Sequence, residues 1–395
     1  MRPMQLTRKR NEVRVMSDKP KAKPPPKRWK RIVKWTLGTI FVALVLWGFV
    51  AYWTSTNDCD RLTTTPTNLM KAITNCEYGV DNLKLQEIEK PTPAGNELLV
   101  KVRAASVNPV DGHLMRGNIP MRLLGGGLRK PKNTRFGTDF AGSVEAIGKD
   151  VRNFNSGDEV FGAKNGAAAE YICVKADRAV VAKPSNITFE QAGSVAIAGV
   201  TALQGLRDKG HLQAAQKVLI NGASGGVGTF AVQIAKSFGA EVTAVCSTRN
   251  VDLVRSIGAD HVIDYTKEDF TKGQQRYDLL FDLVGNHSFS ERRRILTPNG
   301  ICVLGGIGGA GFHPESWGRI AGNFKAAFLS TFTSQKFVTY IAKLTKNDLT
   351  ALRDLMQAGK VSPVIDRTYQ LSQTADAVRY LEEGHARGKV AIVVE

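Results

Sequence analysis

Lys217-Val-Leu-Ile-Asn-Gly-Ala-Ser-Gly-Gly-Val-Gly228 is a short apolar strand running into a glycine turn. A helix-period segment follows directly. Val227, Ala231, Ile234, Ala235 and Phe238 fall on one helical stripe, which Gly239 ends as a C-terminal cap. Such a turn grips phosphate. Gly225, with Gly226 and Val227 beside it, lets backbone N–H groups approach a pyrophosphate, and Gly228 lets the helix pack closely on the strand. The helix N-terminus adds unpaired donors and a positive dipole end. Ala223 replaces the first glycine of the G-x-G-x-x-G pattern, so the surroundings must carry the reading. Ser224 reads as a phosphate ligand rather than a nucleophile, because no G-x-S-x-G elbow surrounds it.

Glu241 to Cys246 is the next strand, and its tip is Ser247-Thr248-Arg249. An NAD-binding unit would carry an acidic residue there for the ribose hydroxyls. Hydroxyls followed by a guanidinium suit a 2′-phosphate instead, so Ser247 and Arg249 point to NADPH. The alternation continues with a helix over 250–257, a strand at 261–263, a helix near Glu268, a strand over 279–284, another helix and a strand over 301–304. Strands alternating with helices predict a doubly wound parallel sheet, a Rossmann α/β unit. Ligands of such sheets lie at the carboxyl ends of the strands. The exits at Val284-Gly285 and Gly305 to Gly308 therefore border the nicotinamide half, or else are ordinary turns.

The 395 residues allow two or three domains, and 43% hydrophobic content suffices for real cores. Charge is uneven. Residues 1–34 hold thirteen Lys or Arg against Glu12 and Asp18, which is +11 of the chain's +18. This basic, proline-bearing arm is expected to be disordered and to face anionic lipid rather than nucleic acid.

Lipid is favoured by Trp35 to Trp53, a nineteen-residue run without charge and long enough to span a bilayer as one helix. Trp35, Tyr52 and Trp53 would form interfacial anchors, and Lys30, Arg31 and Lys34 mark the cytoplasmic side. A cleaved signal peptide fits less well: the basic region is very long and no small-x-small site follows. A single-pass membrane protein is expected. The charge rule then puts the body outside the cytoplasm, where NADPH should be scarce, so the side of the catalytic domain stays open. Of five cysteines, Cys59 and Cys76 lie close enough to invite a disulfide on an oxidising side. Cys173, Cys246 and Cys302 read as packed strand residues.

Between about Met70 and Val181 the chain reads as many short strands, including Met70 to Thr74 and Glu97 to Ala105, separated by turns such as Asn155-Ser-Gly-Asp158. An irregular β-rich barrel domain is expected before the Rossmann unit. Helical segments resume from Thr188, and Lys389 to Val394 is one more apolar strand, most simply rejoining the first domain.

Several separated motifs now carry a resemblance: Ala104-Ala-Ser-Val-Asn-Pro-Val-Asp111, Phe136-Gly-Thr-Asp-Phe-Ala-Gly142, Asn155 to Gly162, Ala169-Glu-Tyr171, Ala198 to Gln204, the glycine turn and His385-Ala-Arg-Gly-Lys-Val390. Over about residues 69–395 the chain resembles the zinc-free quinone oxidoreductase, zeta-crystallin-like branch of the medium-chain dehydrogenase/reductase superfamily. The resemblance implies a GroES-like substrate domain at 69–185, completed by 364–395, and a Rossmann NADPH-binding domain at 186–363. The arm 1–34 and the transmembrane helix 35–53 precede them. Zinc-dependent relatives would carry a cysteine near Asn108 and Gly-His-Glu near Gly137, where this chain has Asn108-Pro109 and Gly137-Thr-Asp139. A catalytic zinc needs three Cys, His or carboxylate ligands, so no metal is expected.

By resemblance, Asn108 lies at the nicotinamide or substrate, Thr201 on the nicotinamide side, Tyr265 at the adenosine end and Lys389 at the cofactor or cleft. His113 lies where such reductases often have a tyrosine and is the one proton-donor candidate. A surface histidine is its other reading. The aromatic-rich segment from Phe312 to Lys346 either covers an apolar substrate cleft, touches a membrane, or is a core-covering or dimer-facing helical pair. The expected function is NADPH-dependent hydride transfer to quinones or α,β-unsaturated carbonyls without zinc, with a homodimer as an open possibility. The alternative is a non-catalytic, membrane-anchored NADPH-binding or redox-sensing protein.

Overall fold

The computed structural model describes residues 27–53, 59, 68–117, 122, 127–305, 322 and 325–394. Residues 1–26 of the basic arm, the Gly306 to Gly308 exit and residues 312–321 and 323–324 of the aromatic segment lie outside them. The chain divides into two units, Met1–Thr54 and Ser55–Glu395.

The first unit holds helix α1, Lys27–Trp53, which starts before the uncharged run and continues through it. Trp35, Phe41, Leu46, Trp47 and Phe49 are all exposed on it. The single-pass expectation needs correction here. Among the described residues no helix is long and apolar enough to cross a membrane. Thr, Gly, Trp and Tyr dilute the run, whose longest unbroken aliphatic and Phe stretch is Ile40 to Leu46, about 10 Å of helix.

In the second unit, β1 (Leu69–Asn75) and β2 (Leu83–Glu89) form an antiparallel pair. Cys76 follows β1 directly and is bridged to Cys59. A seven-stranded sheet comes next, built from β3 (Glu97–Val107), β4 (Asp139–Ile147), β5 (Glu159–Ala163), β6 (Tyr171–Lys175) and β7 (Val180–Ala182), with two strands from much later in the chain. Helix α2, Pro109–Arg116, leaves the end of β3, with proline in its first turn where the missing N–H costs nothing.

Helix α3, Ala196–Gln204, leads into the second sheet. Its strands are β8 (Lys217–Asn221), β9 (Glu241–Cys246), β10 (His261–Asp264), β11 (Tyr277–Asp282), β12 (Leu296–Leu304) and β13 (Lys336–Thr339), in the order β10-β9-β8-β11-β12-β13. All neighbours are parallel. The order reverses between β8 and β11, the switch point where such sheets bind ligands. Helix α4, Gly226–Ser237, crosses from β8 to β9, and α5, Val251–Ser256, crosses from β9 to β10. Four of the five residues of β8 and five of the six of β9 are buried, as strands covered on both faces must be. Phe230 of α4 and Phe281 of β11 fill the core between them. Gly239, at φ 79°, takes the left-handed position just past α4.

The chain then returns. β14 (Ile365–Gln370) pairs with β15 (Lys389–Val393), and β15 runs antiparallel to β3. The first sheet is therefore closed by residues nearly three hundred positions beyond β3.

Two local expectations fail. The helix near Glu268 is instead a turn and a short 3₁₀ segment, Phe270–Lys272. The carboxylates of Asp264 and Asp269 accept from the backbone N–H groups of Thr266 and Thr271 and so compete with helix formation. Within the aromatic segment, Lys336–Thr339 is not half of a helical pair but strand β13, with Phe337 buried against the sheet.

Candidate functional site

Gly222, at φ +87°, turns the chain at the end of β8. A Cβ on Gly228 would lie 2.1 Å from the Gly222 carbonyl oxygen, so only glycine lets α4 approach the strand this closely. At Gly225 a Cβ would meet nothing nearer than 3.6 Å. The turn is thus tight on its protein side and open at Gly225, and the first N–H groups of α4 lack intrahelical partners. The Val284 side chain abuts the same turn, 3.0 Å from where a Gly222 Cβ would stand.

At the β9 tip, Asn250 donates to the Ser224 hydroxyl at 3.0 Å and the Ser247 hydroxyl at 3.2 Å. Asn250 is buried, and its Oδ1 has no partner. One side chain therefore ties the glycine turn to the neighbouring strand tip. Arg249 is exposed, and its Nη2 donates to the His385 carbonyl at 2.7 Å. That bond leaves most of its planar donors for an anion. Thr248 donates to Asp264 at 2.6 Å, and this hydrogen bond chiefly holds the Asp264 carboxyl down at about 2. Tyr265 stands next to it, 62% exposed.

A buried polar cluster lies at the junction of β3, β4 and β15. Lys389 Nζ donates to Asn108 Oδ1 at 2.5 Å and lies 3.6 Å from Asp139 Oδ2. Asp139 also accepts from Asn108 Nδ2 at 3.1 Å, from Ser106 Oγ at 3.0 Å, and from the Ile197 N–H at 2.9 Å. The last bond seats the carboxylate at the N-terminus of α3, where the dipole favours it. Asp111 accepts from the Asn108 N–H and the Thr138 hydroxyl, both at 2.8 Å. Burial, and then the nearby Asp139 charge, push the Asp111 carboxyl up to about 6. Burial lowers the Lys389 ammonium from its ordinary value, against the opposing pull of Asp139 and Asp111.

The cluster touches the glycine turn. A Cβ on Gly226 would lie 3.2 Å from Lys389 Cδ and 3.4 Å from the Gly388 carbonyl. With His385 on Arg249, residues 385–389 run from the strand-tip end of the site to Asn108. The structure thus brings together Ser224, Gly225, Gly226, Ser247 and Arg249 at one end and Asn108 and Lys389 at the other. Thr201 lies on α3, one turn past Ile197; its hydroxyl is turned back onto the Ile197 carbonyl, 2.7 Å away. Gly305 is buried, and a Cβ there would strike the Phe281 ring at 2.8 Å, so close packing already requires glycine at this exit.

His113 is buried on α2, not a surface residue. It stands two positions past Asp111, about 200° around the helix, while Asp111 faces Thr138. Sequence reasoning passed over Asn250, Ser106, Asp111, Thr138 and Asp139 as site residues. A charge opening or entering an otherwise apolar strand, as Asp139 and Lys389 do, was the available signal.

The resemblance noted above raises the question of zinc, and the residues here do not fit it. At the positions noted for its ligands stand the Asn108 carboxamide and Thr138 hydroxyl, and the carboxylate that follows, Asp139, is already paired with the Lys389 ammonium. Among the described residues no group of three His, Cys, Asp or Glu is placed to hold a metal. A dinucleotide fits better: an open glycine, two hydroxyls held at adjacent strand ends, and a buried amide oxygen without a partner.

Two family profiles match, an alcohol dehydrogenase GroES-like domain over residues 94–185 and a zinc-binding dehydrogenase over residues 257–392. The mouse mitochondrial NAD(P)H oxidoreductase RTN4IP1 is 33% identical over 79% of this chain and 84% of its own length. The chloroplastic NADPH-dependent alkenal/one oxidoreductase of Arabidopsis thaliana is 33% identical over 82% of this chain and 79% of its own. Among solved structures, the quinone oxidoreductase from Coxiella burnetii superposes with a TM-score of 0.71 at 30% identity, covering 83% of this chain and all of that one. Fold, strand order and these relatives agree: the chain belongs to the quinone oxidoreductase branch of the medium-chain dehydrogenase/reductase superfamily.

Proposed function

We propose that this protein is an NADPH-dependent reductase of quinones or α,β-unsaturated carbonyl compounds that works without zinc. The observation that carries the reading is the strand-tip cluster of Ser224, Ser247, Asn250 and Arg249, which offers hydroxyls and a guanidinium to a ribose phosphate. When bound, NADPH supplies the hydride. The chain's own work is to hold and orient. The α4 N-terminus takes the pyrophosphate, Arg249 and the two serines take the 2′-phosphate, and Tyr265 covers the adenosine. Asn108, in the buried cluster beside Lys389, presents a hydrogen-bond donor to the acceptor. Thr201, Val284 and Gly305 line the nicotinamide side. His113, buried on α2, is the proton-donor candidate. Orientation and aimed hydrogen bonds supply several kcal/mol, so no strong acid is obligatory.

NADPH oxidation by the full chain, followed with a panel of quinones, enones and alkenals, tests this. Turnover of at least one class is expected. Tight NADPH binding without turnover of any acceptor would favour the non-catalytic, redox-sensing reading instead.

We further propose that α1 attaches the body to a membrane, on the strength of its exposed Trp, Phe and Leu side chains and the basic segment that leads into it. Release from cell membranes by alkaline carbonate would mark a helix lying on the surface. A requirement for detergent, or recovery in the soluble fraction without either treatment, would end the proposal of surface attachment.

A further inference from the structure

Lys389 is 4% exposed and Asn108 2% exposed, so each of their polar bonds can be followed. The ammonium is held by Asn108 Oδ1 at 2.5 Å, the Val107 carbonyl at 3.4 Å and Asp139 Oδ2 at 3.6 Å. These three neighbours are all groups of the chain itself, the first two within hydrogen-bond distance and Asp139 as a charge partner. Asn108 is different. Its Oδ1 is taken by the ammonium and one Nδ2 hydrogen by Asp139 at 3.1 Å, while the second Nδ2 hydrogen finds no partner among the described residues. A cation on a carboxamide oxygen draws electron density from the nitrogen and makes the remaining N–H a stronger donor. Asp139 prevents the amide from turning over, because the reversed orientation would set NH₂ against ammonium and oxygen against carboxylate.

We propose that Lys389 is a positioning residue, fixing and polarising Asn108 so that its free N–H is the donor aimed at the acceptor oxygen. Lys389 itself touches no substrate and gives up no proton. Its alkyl chain rests against Gly226 at the phosphate turn, so the same residue aligns the donor with the cofactor end of the site. This inference rests on the reductase reading above.

The test is a double-mutant cycle on the full chain, with kcat and KM for an enone or quinone and, separately, NADPH affinity from nicotinamide fluorescence. Lys389→Met is expected to lower kcat roughly 10- to 100-fold and to leave the NADPH Kd within about threefold. Lys389→Arg should recover a large part of the loss. In an Asn108→Ala background Lys389→Met should cost nothing more, because its effect is spent through the missing carboxamide. Should Lys389→Met fail to fold, Lys389→Gln, which keeps a polar head but no charge, replaces it in the same cycle.

A folded Lys389→Met enzyme with kcat within twofold of the wild type overturns the proposal. So does an undiminished loss in the Asn108→Ala background, or a fall in NADPH affinity that accounts for the whole effect. A wild-type chain that binds NADPH and reduces nothing overturns the reductase reading, and this inference falls with it.

Discussion

Gly225 and Gly228 stand three residues apart and do opposite work. Gly228→Ala drives a Cβ into the Gly222 carbonyl and should destabilise the body by about 3 kcal/mol or more, read as an earlier unfolding midpoint in urea. Gly225→Ala meets open space. It should leave that midpoint nearly unchanged while weakening NADPH binding at least tenfold. Arg249→Ala should cost NADPH roughly 10- to 100-fold in kcat/KM, the worth of one charged hydrogen-bonding group, and leave NADH turnover as it was; an unchanged preference between the two cofactors would defeat the 2′-phosphate assignment. Asp111 makes a pH prediction. Its folded carboxyl titrates near 6 against 3.8 when unfolded, so the folded state holds the proton more tightly. Stability from this group is greatest below pH 4 and declines as pH rises to 6, by on the order of 3 kcal/mol. Wild type minus Asp111→Asn, compared by denaturant unfolding across that interval, should show this slope. The glycine jobs were legible because a turn between strand and helix leaves little freedom. Asn250 was not, since nothing local distinguishes a buried amide bridging two serines from a polar residue opening a helix.

At the scale of elements, the β8–α4–β9 unit could be read from residue types almost to its ends, because an apolar strand, a glycine turn and a 3.6-residue stripe all agree. The segment after β10 could not. There the Asp and Thr side chains capture backbone N–H groups that a helix would need, and such short-range competition has no periodicity. The exit from β11 is held by a second buried device. In α6, Phe289–Arg294, Arg292 Nε lies 2.8 Å from Asp282 Oδ2, with both side chains almost wholly buried. Asp282 also accepts from Asn221 and from the Val284 and Gly285 N–H groups. Arg292→Met would leave that carboxylate buried without its counter-charge and should cost about 3–5 kcal/mol, measured by thermal or urea unfolding. Val284, against the glycine turn, should lose its placement, so NADPH affinity is expected to fall as well.

For the molecule as a whole, the Cys59–Cys76 bridge closes a loop of 17 residues ahead of the two sheets. Such a loop is worth about 3 kcal/mol in an oxidised chain, so reduction should lower the thermal midpoint by several degrees. Whether the bridged peptide is recovered from cells under non-reducing conditions reports the compartment of the body directly. The motifs made the family legible across some three hundred residues, yet the charged floor of the site was hidden, since Asn108 and Lys389 are partners only in space. Their separation of 281 positions has a further consequence, in time rather than in energy. Closing so long a loop is a late step for a folding chain. The parallel sheet can assemble around its own core beforehand, since its strands β8 to β12 lie close together in sequence. In a refolding experiment secondary structure should therefore return first and NADPH oxidation last, the lag between them marking the moment β15 docks against β3.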